Sequence, residues 1–263
     1  MAKMNNPAER LRLLLEKGRD NKYNGKPAHV VWTELLRVDP PNRATLLSRL
    51  GKVYQLPGQV RAAIFQLPDI DDPEVYLTWM PKVEHALSSH NLDQSWQSVR
   101  APIDDHVIST LAICSERLSH LRPEVTVPES ELLKIRKQVT DLFDEIIKSS
   151  TISKSLSRFM LDHLLGILEA IDCYTITGTE PINTAIQSAV GSIPFEHDDS
   201  ELLKDCPLAR KFWTIVVGLS VAVSLLHDGT ELAARWNMRA LPPPLTQAAT
   251  APQPGDDSTF VNK

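Results

Sequence analysis

The chain has 263 residues, of which 42% are hydrophobic and 23% are charged, and its net charge is -5 at pH 7. A chain of this length can bury a core without disulfides, and its three cysteines are odd in number and form no C-x-x-C pair. These features argue against a disulfide framework and favour a cytoplasmic protein, as does a leucine-rich start that is interrupted by charges and does not resemble a signal peptide.

Charge is distributed unevenly along the chain. Residues 1–63 contain 12 Lys and Arg against 5 Asp and Glu, whereas residues 64–263 contain 16 against 28. A basic front end attracts phosphate groups or acidic partners. Two interpretations follow, namely contact with nucleic acid and attraction between the protein's own two parts, and the sequence does not favour the first.

The positions of proline and glycine along the chain are typical of a helical protein. Nineteen prolines stand against ten glycines, and several prolines precede apolar segments with helical spacing. Convincing strand patterns are absent, so the predicted fold class is all-α, with an irregular multi-helix N-terminal module and a C-terminal helical bundle. The first part is expected to hold helices at about 7–18, 27–37, 42–54, 58–66, 73–90 and 103–121.

The stretch RPEVTVP, residues 122–128, is the best candidate boundary because two prolines bracket an extended segment. It divides the predicted basic-fronted module, 1–121, from a bundle at 129–239 with a central apolar helix. The remainder, 240–263, is rich in Pro, Gln and Ala and is predicted to be disordered.

The bundle has the clearest periodicity. Two long stripes separated by SSTIS predict an antiparallel helix pair. Gly178 is a helix stop, and Thr179 is expected to cap a third helix. The stripes consist of Leu132, Ile135, Val139, Leu142 and Ile146, then Leu156, Met160, His163, Ile167, Ile171 and Tyr174.

Residues 212–226 form an apolar run without a charged side chain. As a helix it would span roughly 22 Å, short of the ~30 Å hydrocarbon core of a membrane. A buried or partner-covered helix is therefore preferred over a membrane-acting one. The candidate binding residues on this helix are Trp213, Val217, Val221 and Leu225.

Arg158 and His163 stand in an R-x4-H arrangement on a predicted helix. This spacing resembles the Arg/His motif of HEPN-type ribonucleases, which are all-helical and metal-independent. The resemblance implies that Arg158 supplies positive charge to the scissile phosphate and that His163 transfers a proton. It covers six residues of the chain.

A helix-turn-helix is a further hypothesis for residues 46–61, where Gly51 could form the turn. Pro57 falls where the second helix should pack, so an ordinary helix pair is preferred. No metal site or cofactor is predicted, because His85 and His90 would diverge by about 140° on one helix and lack further ligands.

The sequence thus predicts a protein that acts through protein–protein contacts, with another protein or with itself. An oligomer and a bacterial defence or toxin–antitoxin setting belong to this hypothesis. An enzyme is less favoured; the alternatives are the ribonuclease with Arg158 and His163 and the membrane-acting effector with helix 212–226.

Overall fold

The computed structural model describes residues 5–68, 70–88, 91–121, 124, 126–192 and 206–224. These residues confirm the all-α fold class and contain no β-strand. They belong to one compact unit, Met1–Asp228, whereas the second unit, Gly229–Lys263, lies outside them. Their α-helices are α1 Pro7–Gly18, α2 Ala28–Leu35, α3 Arg43–Phe65, α4 Met80–Leu87, α5 Trp96–Arg100, α6 Asp105–Leu121, α7 Glu129–Lys148, α8 Lys154–Asp172, α9 Tyr174–Thr177, α10 Glu180–Gly191 and α11 Pro207–Ser224.

Local capping sets several of these helix ends. The Asn6 side chain accepts a hydrogen bond from the Glu9 amide at the start of α1, and Pro7 occupies the first turn. The Ser153 hydroxyl accepts one from the Leu156 amide at the start of α8. Such side chains satisfy amides that have no partner within the helix, which is why short sequence signals locate these ends.

The helices of the first part enclose one core. Helix α1 packs against α6 and α3, and its buried face includes Leu11 and Leu15. Trp79 and Trp96 are buried in the same core, and Ile176 of α9 joins it from beyond the predicted boundary. Whether two domains are present stays a prediction; the predicted tail, 240–263, lies outside the described residues.

Helices α7, α8, α10 and α11 form a four-helix bundle. Helix α7 packs against α8 and α11, and α10 packs against the same two helices. The predicted α7 stripe is buried throughout. On α8 one position differs, because Leu164 is buried where His163 was expected, and His163 is only half-buried.

Three predicted helices differ in the structure. The segments 42–54 and 58–66 are one continuous helix, α3. The segment 73–90 was expected to be one helix, but it consists of a 3-10 helix, Pro73–Leu77, followed by α4, whose first turn contains Pro81. Thr179 precedes α10 as expected, but its side chain makes no capping hydrogen bond.

Ion pairs connect the basic first part of the chain to residues beyond α6. Arg37 pairs with Glu129 at 2.7 Å, and Arg10 pairs with Glu124 at 2.8 Å. Asp172, at the end of α8, accepts from Arg49 at 3.2 Å and from Arg136 at 2.6 Å. Some of the basic residues in 1–63 are therefore neutralised by acidic residues further along the same chain.

Candidate interaction surface

Arg158 and His163 lie on different sides of α8. Residues five apart on a helix diverge by about 140°. The Arg158 guanidinium lies 3.8 Å from the Asp162 carboxylate, beside an open depression of about 280 Å³ that Lys154 also lines.

The His163 ring instead packs edge-on against Phe159, with ring centroids 4.6 Å apart. Burial lowers the pKa of His163 below its ordinary value, which favours the neutral ring. Asp162 interacts with both residues, because its carboxylate lies 3.8 Å from the Arg158 guanidinium and its charge acts on the His163 ring. The described hydrogen bonds, ion pairs and ring contacts include none between Arg158 and His163 themselves.

Helix α11 presents two different faces. Phe212, Val216 and Leu219 are fully buried in the bundle. Of the predicted binding residues, Trp213 and Val217 are half-buried and Val221 is 47% exposed. Leu225 lies outside the described residues. None of the helices in the described part of the chain has the length and apolarity that a membrane crossing requires.

Helix α3 is the longest helix that the structure describes, with 23 residues. The Asn42 side chain accepts hydrogen bonds from the Ala44 and Thr45 amides at its start. Gly51 does not form a turn, and the helix continues through Pro57, so the helix-turn-helix hypothesis is wrong. Pro57 lacks an amide hydrogen for the Val53 carbonyl, but its ring is buried with the rest of the inner face.

The inner face of α3 covers the core with a regular repeat. Its apolar positions recur at spacings of four and three residues, as in packed helix pairs. They are Leu46, Leu50, Val53, Pro57, Val60 and Ile64.

A second repeat follows the first, one residue further along the helix, and all its members except the half-buried Gly51 are exposed. We call it the outer stripe. Leu47 is 50% exposed, Tyr54 39% and Phe65 48%. Since the spacing again alternates between four and three, the stripe has the pattern of a helix–helix contact surface, although its large apolar members stay 39–50% exposed. The outer stripe consists of Leu47, Gly51, Tyr54, Gly58, Arg61 and Phe65.

The two glycines of the outer stripe are not required by the fold of the single chain. A Cβ atom added at Gly51 or at Gly58 would have nothing within 4 Å. Glycine inside a helix costs about 0.5–1 kcal/mol relative to alanine. The helix therefore carries two unfavourable residues seven apart, Gly51 half-buried and Gly58 exposed, without an internal packing reason.

Charged groups flank the outer stripe at its C-terminal end. The Arg61 guanidinium pairs with Glu74 at 2.9 Å and lies 5.3 Å from the centre of the Phe65 ring. Val75, next to Glu74, is exposed and extends the apolar surface. Helix α3 contains no acidic residue, whereas the segment after it carries exposed Asp71 and Asp72.

The outer stripe has a signal in the sequence, but it was not among the predicted sites. Its spacing is visible only if residues 43–65 are taken as one helix, and Gly51 and Pro57 argued for breaks.

Among the described residues, no group of three or more His, Cys, Asp or Glu side chains could hold a metal ion. Comparison with family models, curated proteins and solved structures finds no match for this chain.

Proposed function

We propose that this protein is a helical interaction protein, which binds another polypeptide helix along the outer stripe of α3. The observation that carries the proposal is the solvent-exposed repeat of large apolar and small residues on the longest described helix. Scattered exposed apolar side chains are normal on a protein surface, whereas an ordered stripe of them indicates a contact surface.

Helix-to-helix recognition explains the composition of the stripe. An amphipathic helix is recognised through anchors at i, i+3, i+4 and i+7, and Leu47, Tyr54 and Phe65 occupy such positions. Aromatic side chains contribute strongly to protein interfaces. Gly51 and Gly58 leave gaps between these anchors, into which the side chains of an opposing helix can insert.

The ion pairs of the basic first part favour a protein partner over nucleic acid. Arg37, Arg49 and Lys52 each have a carboxylate partner within the chain. Phosphate binding needs Lys and Arg side chains that face outward together and have no internal acid to neutralise them. The large apolar members of the outer stripe give phosphate groups nothing to bind.

Site-specific photo-crosslinking tests the proposal in cells that make the protein. Leu47 is replaced by the photoreactive residue p-benzoylphenylalanine, and the same replacement at Leu165 of α8 is the control. The control is matched, since it is also a leucine on a helix and is 51% exposed against 50% for Leu47. We expect a discrete covalent adduct from position 47 and none from position 165. Equal labelling from both positions, or no adduct from position 47, would contradict the proposal.

A further inference from the structure

We infer that the partner of the outer stripe is a second copy of this chain, whose α3 lies antiparallel across the first. The inference rests on the proposed function, because it names the occupant of the same surface. It follows from the order of large and small residues along the stripe, from the charges at its two ends, and from the two glycines whose Cβ positions face open space.

Large and small residues are ordered along the outer stripe so that, when two copies lie antiparallel, each glycine faces a large side chain. In an antiparallel pair, a two-fold axis midway between Tyr54 and Gly58 places each Tyr54 opposite Gly58 of the other copy. The same axis places Gly51 opposite Arg61. Every glycine then receives a large side chain, as knobs-into-holes packing requires.

The ends of the stripe match in the same register. Leu47 of one copy meets Phe65 of the other, so the two largest apolar anchors outside the centre cover each other. Both side chains are about half exposed in the single chain and gain the most from this contact. A parallel pair would instead place Gly51 opposite Gly51 and Gly58 opposite Gly58, which leaves two gaps, and Tyr54 opposite Tyr54, which makes a clash.

Charge supports the antiparallel direction. Arg43 is exposed at the N-terminal end of α3, one turn before Leu47. Beyond Phe65 of the opposing copy the chain presents exposed Asp71 and Asp72. Antiparallel α3 helices bring this basic end towards that acidic segment twice, once on each side of the axis, whereas parallel helices would set basic ends side by side.

The contact region is the length of one helix, so the expected affinity is modest. Residues 47–65 span about 28 Å of helix. Interfaces of this size lie at the lower end of specific contacts, and we expect a dissociation constant in roughly the micromolar range. The dimer should therefore form and dissociate with concentration.

Sedimentation equilibrium of the purified full chain measures this association. We expect a monomer–dimer equilibrium for the wild type and a loss of about tenfold or more in association constant for Gly58→Gln, because the new side chain fills the gap opposite Tyr54. Gly166→Gln on α8 is the matched control, since its Cβ also meets nothing within 4 Å, and it should dimerise like the wild type. Circular dichroism establishes that both variants are folded.

The crosslinking experiment separates this inference from the proposed function. With p-benzoylphenylalanine at position 54, we expect an adduct of twice the chain mass, in which mass spectrometry maps the crosslink close to Gly58. An adduct with a different protein would overturn the second-copy inference and leave the proposed function standing. The inference would also be overturned if the chain stays monomeric at all concentrations, if Gly166→Gln loses association equally, or if the crosslink lies far from Gly58. Absence of any adduct from positions 47 and 54 would overturn both the inference and the proposed function.

Discussion

Glycines in this protein have two opposite roles, which their surroundings distinguish. Gly178 ends α9 with a φ of +74°, a left-handed conformation, and the guanidinium of Arg10 occupies the space where a Cβ would lie. Gly166, in the middle of α8, is exposed and has open space at its Cβ. Only the first position requires glycine for the fold of the single chain.

Alanine should therefore have opposite effects at these two positions. Gly166→Ala should raise the free energy of unfolding by about 0.5–1 kcal/mol, since alanine is the better helix former. Gly178→Ala should lower it by about 1–3 kcal/mol, because of backbone strain and displacement of Arg10. Urea denaturation of both variants measures the difference. Two changes of the same sign would contradict the assignment of Gly178 as the helix stop.

His163 should make stability depend on pH. Burial lowers its folded-state pKa below its ordinary value of 6.5, so the unfolded chain binds the proton more readily. The free energy of unfolding should fall as the pH decreases from neutrality through 6.5 towards the lowered pKa, and the contribution is fully present at higher pH.

Replacing His163 by Gln removes this contribution. The loss of stability between about pH 7.5 and about pH 5.5 should be smaller in His163→Gln than in the wild type. His120→Gln is the control, since the His120 side chain is 75% exposed. An identical pH dependence for the wild type and His163→Gln would show that this ring has no part in it.

At the scale of single helices, α7 shows how sharply burial changes between neighbouring residues. Leu132 is buried and belongs to the stripe that faces α8 and α11, whereas Leu133 is 56% exposed. The side chains of consecutive helical residues point about 100° apart. A regular 3-4 spacing therefore identified the inner face of this helix, although it did not exclude leucine from the outer face.

Alanine at these two leucines tests the packing of the bundle. Leu132→Ala should lower the free energy of unfolding by about 2–5 kcal/mol, the usual result of a core cavity. Leu133→Ala removes the same atoms from a solvent-exposed site and should change it by less than about 0.5 kcal/mol. Thermal or urea denaturation measures both, and equal effects would mean that the helix is rotated about its axis relative to the structure.

Across the whole molecule, Asp172 has an unusual position because three helices meet at its carboxylate. It accepts from Arg49 of α3 and Arg136 of α7, while it lies at the end of α8. Arg49 also donates to the carbonyls of Leu36 and Arg37 at the end of α2. A nearly buried guanidinium depends on this carboxylate for its neutralising charge.

Removing that carboxylate should be costly. Asp172→Ala leaves Arg49 without its acid partner and should lower the free energy of unfolding by about 3 kcal/mol. The control is Asp141→Ala, which removes a surface pair with Lys137 at 2.7 Å and should cost less than about 1 kcal/mol. Urea denaturation in low and high salt measures both variants. Comparable small losses would show that the Asp172 network is not needed to hold the helices together.

The sequence by itself determined the elements whose signals are local. The bounds of α1, the antiparallel pair α7 and α8, and the stop at Gly178 followed from prolines, capping residues and repeats of three and four. These features act through hydrogen bonds and side-chain contacts between residues a few positions apart. A short stretch of sequence therefore contains all the interacting groups.

The tertiary structure alone decided what depends on distant residues. Helix α3 runs through Gly51 and Pro57 because its inner face is buried against other helices, and packing outweighs the local cost of these residues. Likewise, α11 is apolar on all sides in the sequence, and only its neighbours determine that Val216 is buried and Val221 exposed. The outer stripe depends on the continuity of α3, since residues on both sides of Pro57 share one face only when they belong to the same helix.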